Sequence, residues 1–161
     1  MGGIVMSDIV TPELEFVLEL HGVLAQPMVM GETPAGTRRI IPIRAGTFAG
    51  PHLSGTLVAD GAADWQFTRP DNVTQAEAAY ALRTDDGVLI QVNNYGLRHG
   101  PAPVMQRLAA GAEVDPAEYY FRTAPVFTAP VGRYDWLNRS IFIGSGARYP
   151  DAIRLRVYRV L

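Results

Sequence analysis

Turn signals recur along the chain at the spacing of β-hairpins and separate short stretches in which apolar and polar residues alternate. The alternation is clear from Glu15 to Gln26 and again from Ile153 to the end of the chain. We count about nine such stretches, and no helix of the kind that connects parallel strands lies between them. Glycines at positions 46, 50 and 55 suit the bends of a curling sheet. The pattern predicts an all-β fold, an antiparallel barrel or sandwich, and favours a barrel of eight to ten strands.

Several connections can be assigned from their residue types. Asp60-Gly61 predicts a hairpin turn between strands at 52–59 and 64–68. The stretch 27–36 holds two prolines and two glycines, which predicts a loop across one end of the sheet. Pro42 interrupts a β-branched run and predicts an edge or a bulge. A strand edge left open in this way could be covered by a second copy of the chain, which predicts a C2 homodimer.

Residues 97–118 break the strand rhythm. Leu108 follows Val104 at the spacing of one helical turn, and Gly111 closes the stretch, so one short helix is predicted near 102–110. An insertion of this length in an all-strand chain is usually a lid or a plug at the end of a barrel. An oligomer contact is the alternative.

The length of 161 residues, 48% of them hydrophobic, suits one domain with one core. We expect a flexible N-terminal tail at residues 1–12 and a single barrel domain at 13–161. The first residues lack the basic region of a signal peptide, and no apolar run approaches the roughly 20 residues that a bilayer span requires. These features predict a cytoplasmic protein with no membrane partner.

The residue inventory excludes several kinds of chemistry. Cysteine is absent, which removes disulfides and thiolate nucleophiles, and all 14 basic residues are arginine, which removes Schiff-base chemistry. His21, His52 and His99 lie far apart without metal-ligand spacing, so no metal site is predicted. The formal net charge of −2 gives no electrostatic footprint for nucleic acid. Glycine motifs that bind phosphates or dinucleotides are missing, which predicts no cofactor.

The segment from Tyr119 to Asn138 concentrates aromatic side chains, two arginines and an amide, which predicts the wall of a ligand cavity. Trp136 and Asn138 lie two residues apart and would share one face of a strand. Arg122, flanked by aromatic residues, would hold a carboxylate or polarise a carbonyl group. Alternatively, Arg122 forms a buried structural ion pair with Asp64.

Asp64 beside Trp65 is a candidate general base, because contact with an indole would desolvate the carboxylate and raise its pKa. The alternative is a turn carboxylate that accepts backbone amides after Gly61. His52 is the second candidate base because of its intrinsic pKa. The alternative is that His52 is an ordinary surface residue at the start of a strand. We expect Trp65 to line the cavity together with Arg122, Trp136 and Asn138. Further candidates for the ligand wall are Tyr80, Asn93 and Tyr119.

Five stretches in order carry a family resemblance, namely GTFAGPHLSG at 46–55, GAADWQ at 61–66, TDDGVLIQV at 84–92, YFRTAPVF at 120–127 and YDWLNRSIFIGSG at 134–146. Through them the chain resembles, over nearly its whole length, the DUF3237 family, also called UPF0311, which is a family of uncharacterised function. The resemblance implies a compact lipocalin-like β-barrel. The matching positions are Gly46, Gly50, Pro51, Gly55, Gly61, Asp64, Trp65, Asp86, Gly87, Phe121, Arg122, Trp136, Asn138 and Gly144.

Two functions fit such a barrel. The first is a cofactor-independent isomerase, cyclase or lyase that holds a mostly apolar, carbonyl-bearing small molecule. Arg122 and Asn138 would then stabilise an enolate or oxyanion, and a base, Asp64 or His52, would move a proton. The second function is a non-catalytic carrier or sensor of a small ligand. A titratable side chain inside the cavity, near two converging hydrogen-bond donors, would favour the enzyme.

Overall fold

A computed structural model describes residues 6–161 of the chain. Nine strands and one α-helix follow one another within them, and two short 3-10 helices lie at Pro116–Glu118 and Asp135–Arg139. The strands and the helix are β1 (Leu14–Leu24), β2 (Met28–Thr33), β3 (Gly36–Ala49), β4 (Ser54–Thr68), β5 (Thr74–Thr84), β6 (Leu89–His99), α1 (Ala102–Ala109), β7 (Tyr120–Thr128), β8 (Ile141–Arg148) and β9 (Ala152–Val160). Part of the predicted tail, residues 1–5, lies outside the described residues.

Eight of the strands close into an antiparallel barrel. They pair in the order β1-β9-β8-β7-β6-β5-β4-β3, and β3 returns to pair with β1. The remaining strand, β2, is added to β3 as a hairpin. The register of β3 with β4 shifts after Pro42, as the predicted bulge requires. Within residues 6–161, closure leaves β2 as the strand with an unpaired edge, and the homodimer stays a prediction.

The structure confirms the predicted barrel and its helix near 102–110, and it corrects three details. Asp60-Gly61 is no hairpin turn, because β4 continues through it as one strand. Gly61 adopts a φ of 76° where the register with β5 shifts, so the glycine forms a bulge. Residues 28–33, predicted as loop, form β2. Trp136 and Asn138 lie on a 3-10 helix, where a spacing of two does not place side chains on one face.

The barrel interior differs between its two ends. We call the end that carries the β6–β7 connection with α1 the helix end, and the end that carries the β7–β8 connection the closed end. Toward the closed end the interior is filled by apolar side chains such as Leu18, Ile90 and Leu137, each at most 1% exposed. At the helix end, half-buried apolar residues of α1 pack against Tyr119 and Phe121. This position agrees with a plug at the end of the barrel.

On the outside of the barrel, Glu19 links β1 to β9. Arg154 Nε donates to Glu19 Oε1 at 2.8 Å, and Arg156 Nε donates to Glu19 Oε2 at 2.6 Å. Hydrogen bonds from Arg154 and then Arg156 are the largest causes that lower the pKa of Glu19 from 4.5 to about 2. The folded pKa lies below the ordinary value, so this carboxylate stabilises the fold at neutral pH. Its contribution is lost as the pH falls from about 4.5 to about 2.

We therefore expect Glu19→Gln to lower the melting temperature at pH 7 by a few degrees or less, because ion pairs near the surface contribute little. The difference from the wild type should shrink below pH 4.5 and vanish near pH 2. Thermal unfolding of both proteins, followed by circular dichroism across this pH range, measures the effect. A difference that does not change with pH would contradict the ion-pair explanation.

Candidate functional site

The helix end of the barrel encloses a cavity of about 50 Å³. One buried water needs about 10–15 Å³, so the space suits a few waters or a small ion. Part of the wall is apolar and comes mainly from β1, β3 and β9. The polar part of the wall consists of Asp64, Gln66, Tyr80, Asn94, Arg98, Thr123 and Arg148.

Asp64 faces the cavity from β4. The backbone N–H of Glu77 donates to Asp64 Oδ1 at 2.8 Å, and Gln66 Nε2 donates to Asp64 Oδ2 at 3.0 Å. The pairing of β4 with β5 is interrupted just after Asp64, which leaves the Glu77 amide for the carboxylate. Burial raises the pKa of Asp64, and the hydrogen bonds together with the charges of Arg98 and Arg39 oppose this only in part. Asp64 is half-buried, and a carboxyl with a raised pKa in a cavity is suited to accept a proton in catalysis.

Two arginines near Asp64 contact neighbours other than carboxylates: Arg98 lines the cavity, and Arg39 lies beside it. Arg39 donates to Gln66 Oε1 through Nε at 2.8 Å and through Nη2 at 2.6 Å. Arg98 is 7% exposed, and its guanidinium carbon lies 5.6 Å from the centroid of the Phe121 ring. Burial is the main cause that lowers the pKa of Arg98 to about 10, and the charges of Arg148 and Arg39 add to it. Among residues 6–161, Arg98 therefore has no salt-bridge partner, and its guanidinium lies in a poorly solvated place.

Arg148, on β8, completes the cationic group. Its backbone N–H donates to the hydroxyl of Tyr119 at 3.0 Å, and its Nη1 donates to the carbonyl oxygen of Ala152 at 3.2 Å. Burial and the charge of Arg39 lower the pKa of Arg148. Arg98 and Arg148 on the cavity wall, together with Arg39 beside it, set three arginines against the carboxylate of Asp64.

Three buried polar atoms on the cavity wall have no hydrogen-bond partner among residues 6–161: Asn94 Oδ1, Arg98 Nε and Thr123 Oγ1. The three residues are 7%, 7% and 8% exposed. A buried donor or acceptor without a partner costs about 1–3 kcal/mol. The cavity therefore presents unmet hydrogen-bonding capacity and unbalanced positive charge to whatever enters it.

Comparison with known proteins identifies the family. A match to the family described as a protein of unknown function, DUF3237, covers residues 12–160. The chain belongs to the DUF3237 family. A UPF0311 protein of Rhodopseudomonas palustris strain TIE-1 is 41% identical over 94% of this chain and 99% of its own length. The crystal structure of a conserved protein of unknown function from Rhodopseudomonas palustris superposes with a TM-score of 0.91 at 38% identity, covering 95% of this chain and 100% of that one.

A more distant solved structure shares the fold of this DUF3237 chain. It is the crystal structure of an enzyme from Penicillium herquei, which superposes with a TM-score of 0.71 and covers 98% of this chain and 100% of that one. The sequence identity is 19%. At this level the likeness shows a common fold alone.

The DUF3237 barrel separates the predicted site residues. Asp64 and Tyr80 line the cavity, and Tyr119 lies behind it, where its hydroxyl accepts the backbone N–H of the β8 arginine. His52 and Trp136 lie at the closed end of the barrel and line a solvent-accessible groove there. Their ring centroids are 6.4 Å apart. The structure therefore does not bring the two candidate bases together, and His52 is exposed.

Arg122 lies outside the barrel, which corrects its predicted position in the cavity. Successive residues of β7 alternate, and Phe121 is the buried one, so Arg122 is exposed. Arg122 Nη1 donates to the carbonyl oxygen of Phe121 at 3.0 Å, and the guanidinium carbon lies 5.5 Å from the ring centroid of Tyr120. The alternative, an ion pair with Asp64, is also wrong, because the carboxylate is bonded to other groups.

Trp65, Asn93 and Asn138 are exposed as well, so the predicted common lining by Trp65, Arg122, Trp136 and Asn138 is wrong. Trp65 is 45% exposed on the outer face of β4. The side chain of Asn138 is bound to the backbone of Ala129, accepting its N–H at 2.8 Å and donating to its carbonyl oxygen at 2.9 Å. This amide holds the connection between β7 and β8.

The sequence analysis missed most of the polar wall. Asn94 and Arg98 carried a usable signal, because they continue the period of two that begins with the buried Ile90 and Val92 on β6. No helix among the described residues is long and apolar enough to cross a membrane. In the same part of the chain, no group of three or more His, Asp or Glu side chains could hold a metal ion.

Proposed function

We propose that this protein binds a small carbonyl-bearing molecule at the helix end of the barrel and acts on it as a cofactor-independent enzyme of the isomerase, cyclase or lyase type. The observation that carries the proposal is the position of Asp64, a half-buried carboxyl with a raised pKa, in the same cavity as the unpartnered Nε of Arg98. Proton transfer next to a carbonyl group needs a base, and a fixed cation beside that base favours the transfer because it stabilises the enolate that forms.

The residues divide the work as follows. The carbonyl oxygen of the ligand accepts a hydrogen bond from Arg98, which keeps its charge because its pKa of about 10 is well above neutral pH. Asp64 takes a proton from the carbon next to the carbonyl group. Return of the proton to another carbon completes an isomerisation, and its return to a leaving group, as the bond to that group breaks, completes an elimination. In a ring closure the enolate carbon attacks a second carbonyl carbon of the same molecule, and the proton goes to the alkoxide that forms. Arg39 and Arg148 add positive potential at the place where negative charge develops. The shared fold with an enzyme from Penicillium herquei supports this class, since such a barrel can carry catalysis.

A non-catalytic carrier is the second candidate, and one observation favours it. Both oxygens of Asp64 already accept hydrogen bonds, one from the Glu77 backbone and one from Gln66. A carboxylate held in this way can serve to position Gln66, which in turn orients Arg39. In that case Asp64 would shape a binding site and move no proton.

Proton exchange in heavy water separates the two candidates without knowledge of the natural reaction. We expect the wild type to exchange the methyl protons of pyruvate, the first of a panel of small oxo acids, for deuterium faster than buffer does. Asp64→Asn should lower this rate on the order of 10²-fold, because it removes the base and keeps the shape. Asp60→Asn, at an exposed position on the same strand, is the matched control. Proton NMR follows both the binding of the oxo acids and the exchange of their protons. Oxo acids that bind without exchange would support the carrier.

A further inference from the structure

We infer that the ligand of this cavity is a small carboxylate that also carries a hydroxyl group, as a 2-hydroxy acid does. This ligand class rests on the proposed function, which places a small molecule at the helix end of the barrel. It adds the charge and the hydrogen-bonding groups that the molecule must have.

The charge of the ligand follows from the charge of the wall. Arg39, Arg98 and Arg148 face Asp64, and the exposed Asp151 at the rim offsets part of the charge of Arg148. In the part of the chain that the structure describes, at least one positive charge remains without a partner. An unpaired charge in a poorly solvated place is costly, and guanidinium groups pair best with planar oxyanions such as carboxylates. An anion therefore fits this site better than a neutral molecule of equal size.

The hydroxyl group follows from the unpartnered atoms. Arg98 Nε can only donate, so it needs an acceptor, which a carboxylate supplies. Asn94 Oδ1 can only accept a hydrogen bond, and it is buried without a partner among residues 6–161. A carboxylate cannot donate, so it would leave Asn94 Oδ1 unsatisfied. A hydroxyl next to the carboxylate satisfies Asn94, and the hydroxyl of Thr123 can take either role.

The size of the ligand is limited by the cavity. About 50 Å³ corresponds to roughly three to five water-sized groups. Glycolate, the smallest 2-hydroxy acid, is of this size. The apolar part of the wall includes Leu20, Ile43 and Leu155. It would accommodate a short alkyl extension of the 2-hydroxy acid.

The test uses three probes of nearly equal shape: glycolate, acetate, which lacks the hydroxyl, and glycolamide, which lacks the charge. The Nε–Hε signals of protein labelled with nitrogen-15 arginine are recorded during titration at constant ionic strength set with sodium chloride. We expect glycolate to shift the signal of the buried Arg98. We also expect it to bind at least about tenfold more tightly than either acetate or glycolamide, which is the effect of one buried hydrogen bond or charge.

Two pairs of variants assign the contacts. Asn94→Leu should weaken glycolate to the affinity of acetate and leave acetate unchanged, and Asn93→Leu, at the exposed neighbour on the same strand, should change neither. Arg98→Met should weaken glycolate and acetate alike by more than about tenfold. Arg122→Met, at an exposed arginine on the adjacent strand, is the control for that loss.

If acetate binds as tightly as glycolate, the inference that the ligand carries a hydroxyl group is wrong. If glycolamide binds as tightly as glycolate, the inference that the ligand is negatively charged is wrong. Failure of the wild type to bind glycolate at all would overturn both. These comparisons need only the wild type, so they stand even if a variant does not fold. Glycolate selectivity together with oxo acids that bind but exchange no protons would contradict the proposed enzyme and keep the ligand class. Exchange of pyruvate protons without selectivity for glycolate would support the proposed enzyme and contradict the ligand class.

Discussion

Replacing Gly50 with alanine should lower the free energy of unfolding by more than about 4 kcal/mol, which is a large share of the roughly 5–15 kcal/mol by which a domain is stable. A Cβ atom at this position would lie 1.8 Å from the carbonyl oxygen of Val17 and 2.8 Å from its carbonyl carbon. Both are backbone atoms of β1, which pairs with β3 on one side and with β9 on the other. The strand cannot move away from the new methyl group without opening the barrel.

Gly61→Ala is the matched control for this prediction. Gly61 has a φ of 76°, yet nothing lies within 4 Å of the position that its Cβ would take. Alanine at this position adds only the strain of a left-handed backbone, which lowers the free energy of unfolding by about 1 kcal/mol. Urea unfolding of the wild type and both variants, followed by circular dichroism, gives the two losses. Similar losses at the two positions would show that backbone conformation, and not the contact with β1, explains Gly50.

The architecture was predictable because it depends on local signals. The period of two in β6 and β9, together with frequent turn residues, is sufficient to specify antiparallel strands. The predicted hairpin at Asp60-Gly61 failed for a physical reason. A glycine that permits positive φ serves a bulge as well as a turn, and only the pairing partners on both sides decide between them. Here β3 and β5 pair on both sides of the bulge, so the strand continues.

The site was harder to predict, because the period of two shows which residues share a face and not which face is inside. On β7, Arg122 and Phe121 clearly lie on opposite faces, but aromatic neighbours on both faces hid which one is buried. On β6 the apolar Ile90 and Val92 mark the inner face, so Arg98 could have been placed there.

The convergence of the arginines was beyond local reasoning. Arg39, Arg98 and Arg148 come from β3, β6 and β8, and they meet only because the barrel closes with one particular register. Bulges such as the one after Pro42 help to set that register. A sequence pattern indicates that a bulge exists, but it does not give the number of residues by which two strands are offset.

The same convergence predicts that Arg98→Met raises the stability of the ligand-free protein. Burial is the main cause that lowers the pKa of Arg98 from 12.5 to about 10, so the fold disfavours the charged guanidinium by about 3 kcal/mol. Methionine fills much of the same space and packs well against the ring of Phe121. It also relieves repulsion from Arg148 and Arg39. We expect a net gain of about 1–3 kcal/mol, with about 2–4 °C in melting temperature for each kcal/mol.

Thermal unfolding at low salt without added carboxylate measures this gain, and Arg122→Met provides the baseline, since removing an exposed arginine should change stability by less than about 0.5 kcal/mol. Added glycolate should then raise the melting temperature of the wild type more than that of Arg98→Met, because a ligand stabilises most the protein that binds it most tightly. The advantage of the variant would therefore shrink as the glycolate concentration rises. A melting temperature that falls in Arg98→Met without ligand would mean that the guanidinium supports the fold through Phe121. The unbalanced charge would then no longer argue for an anionic ligand.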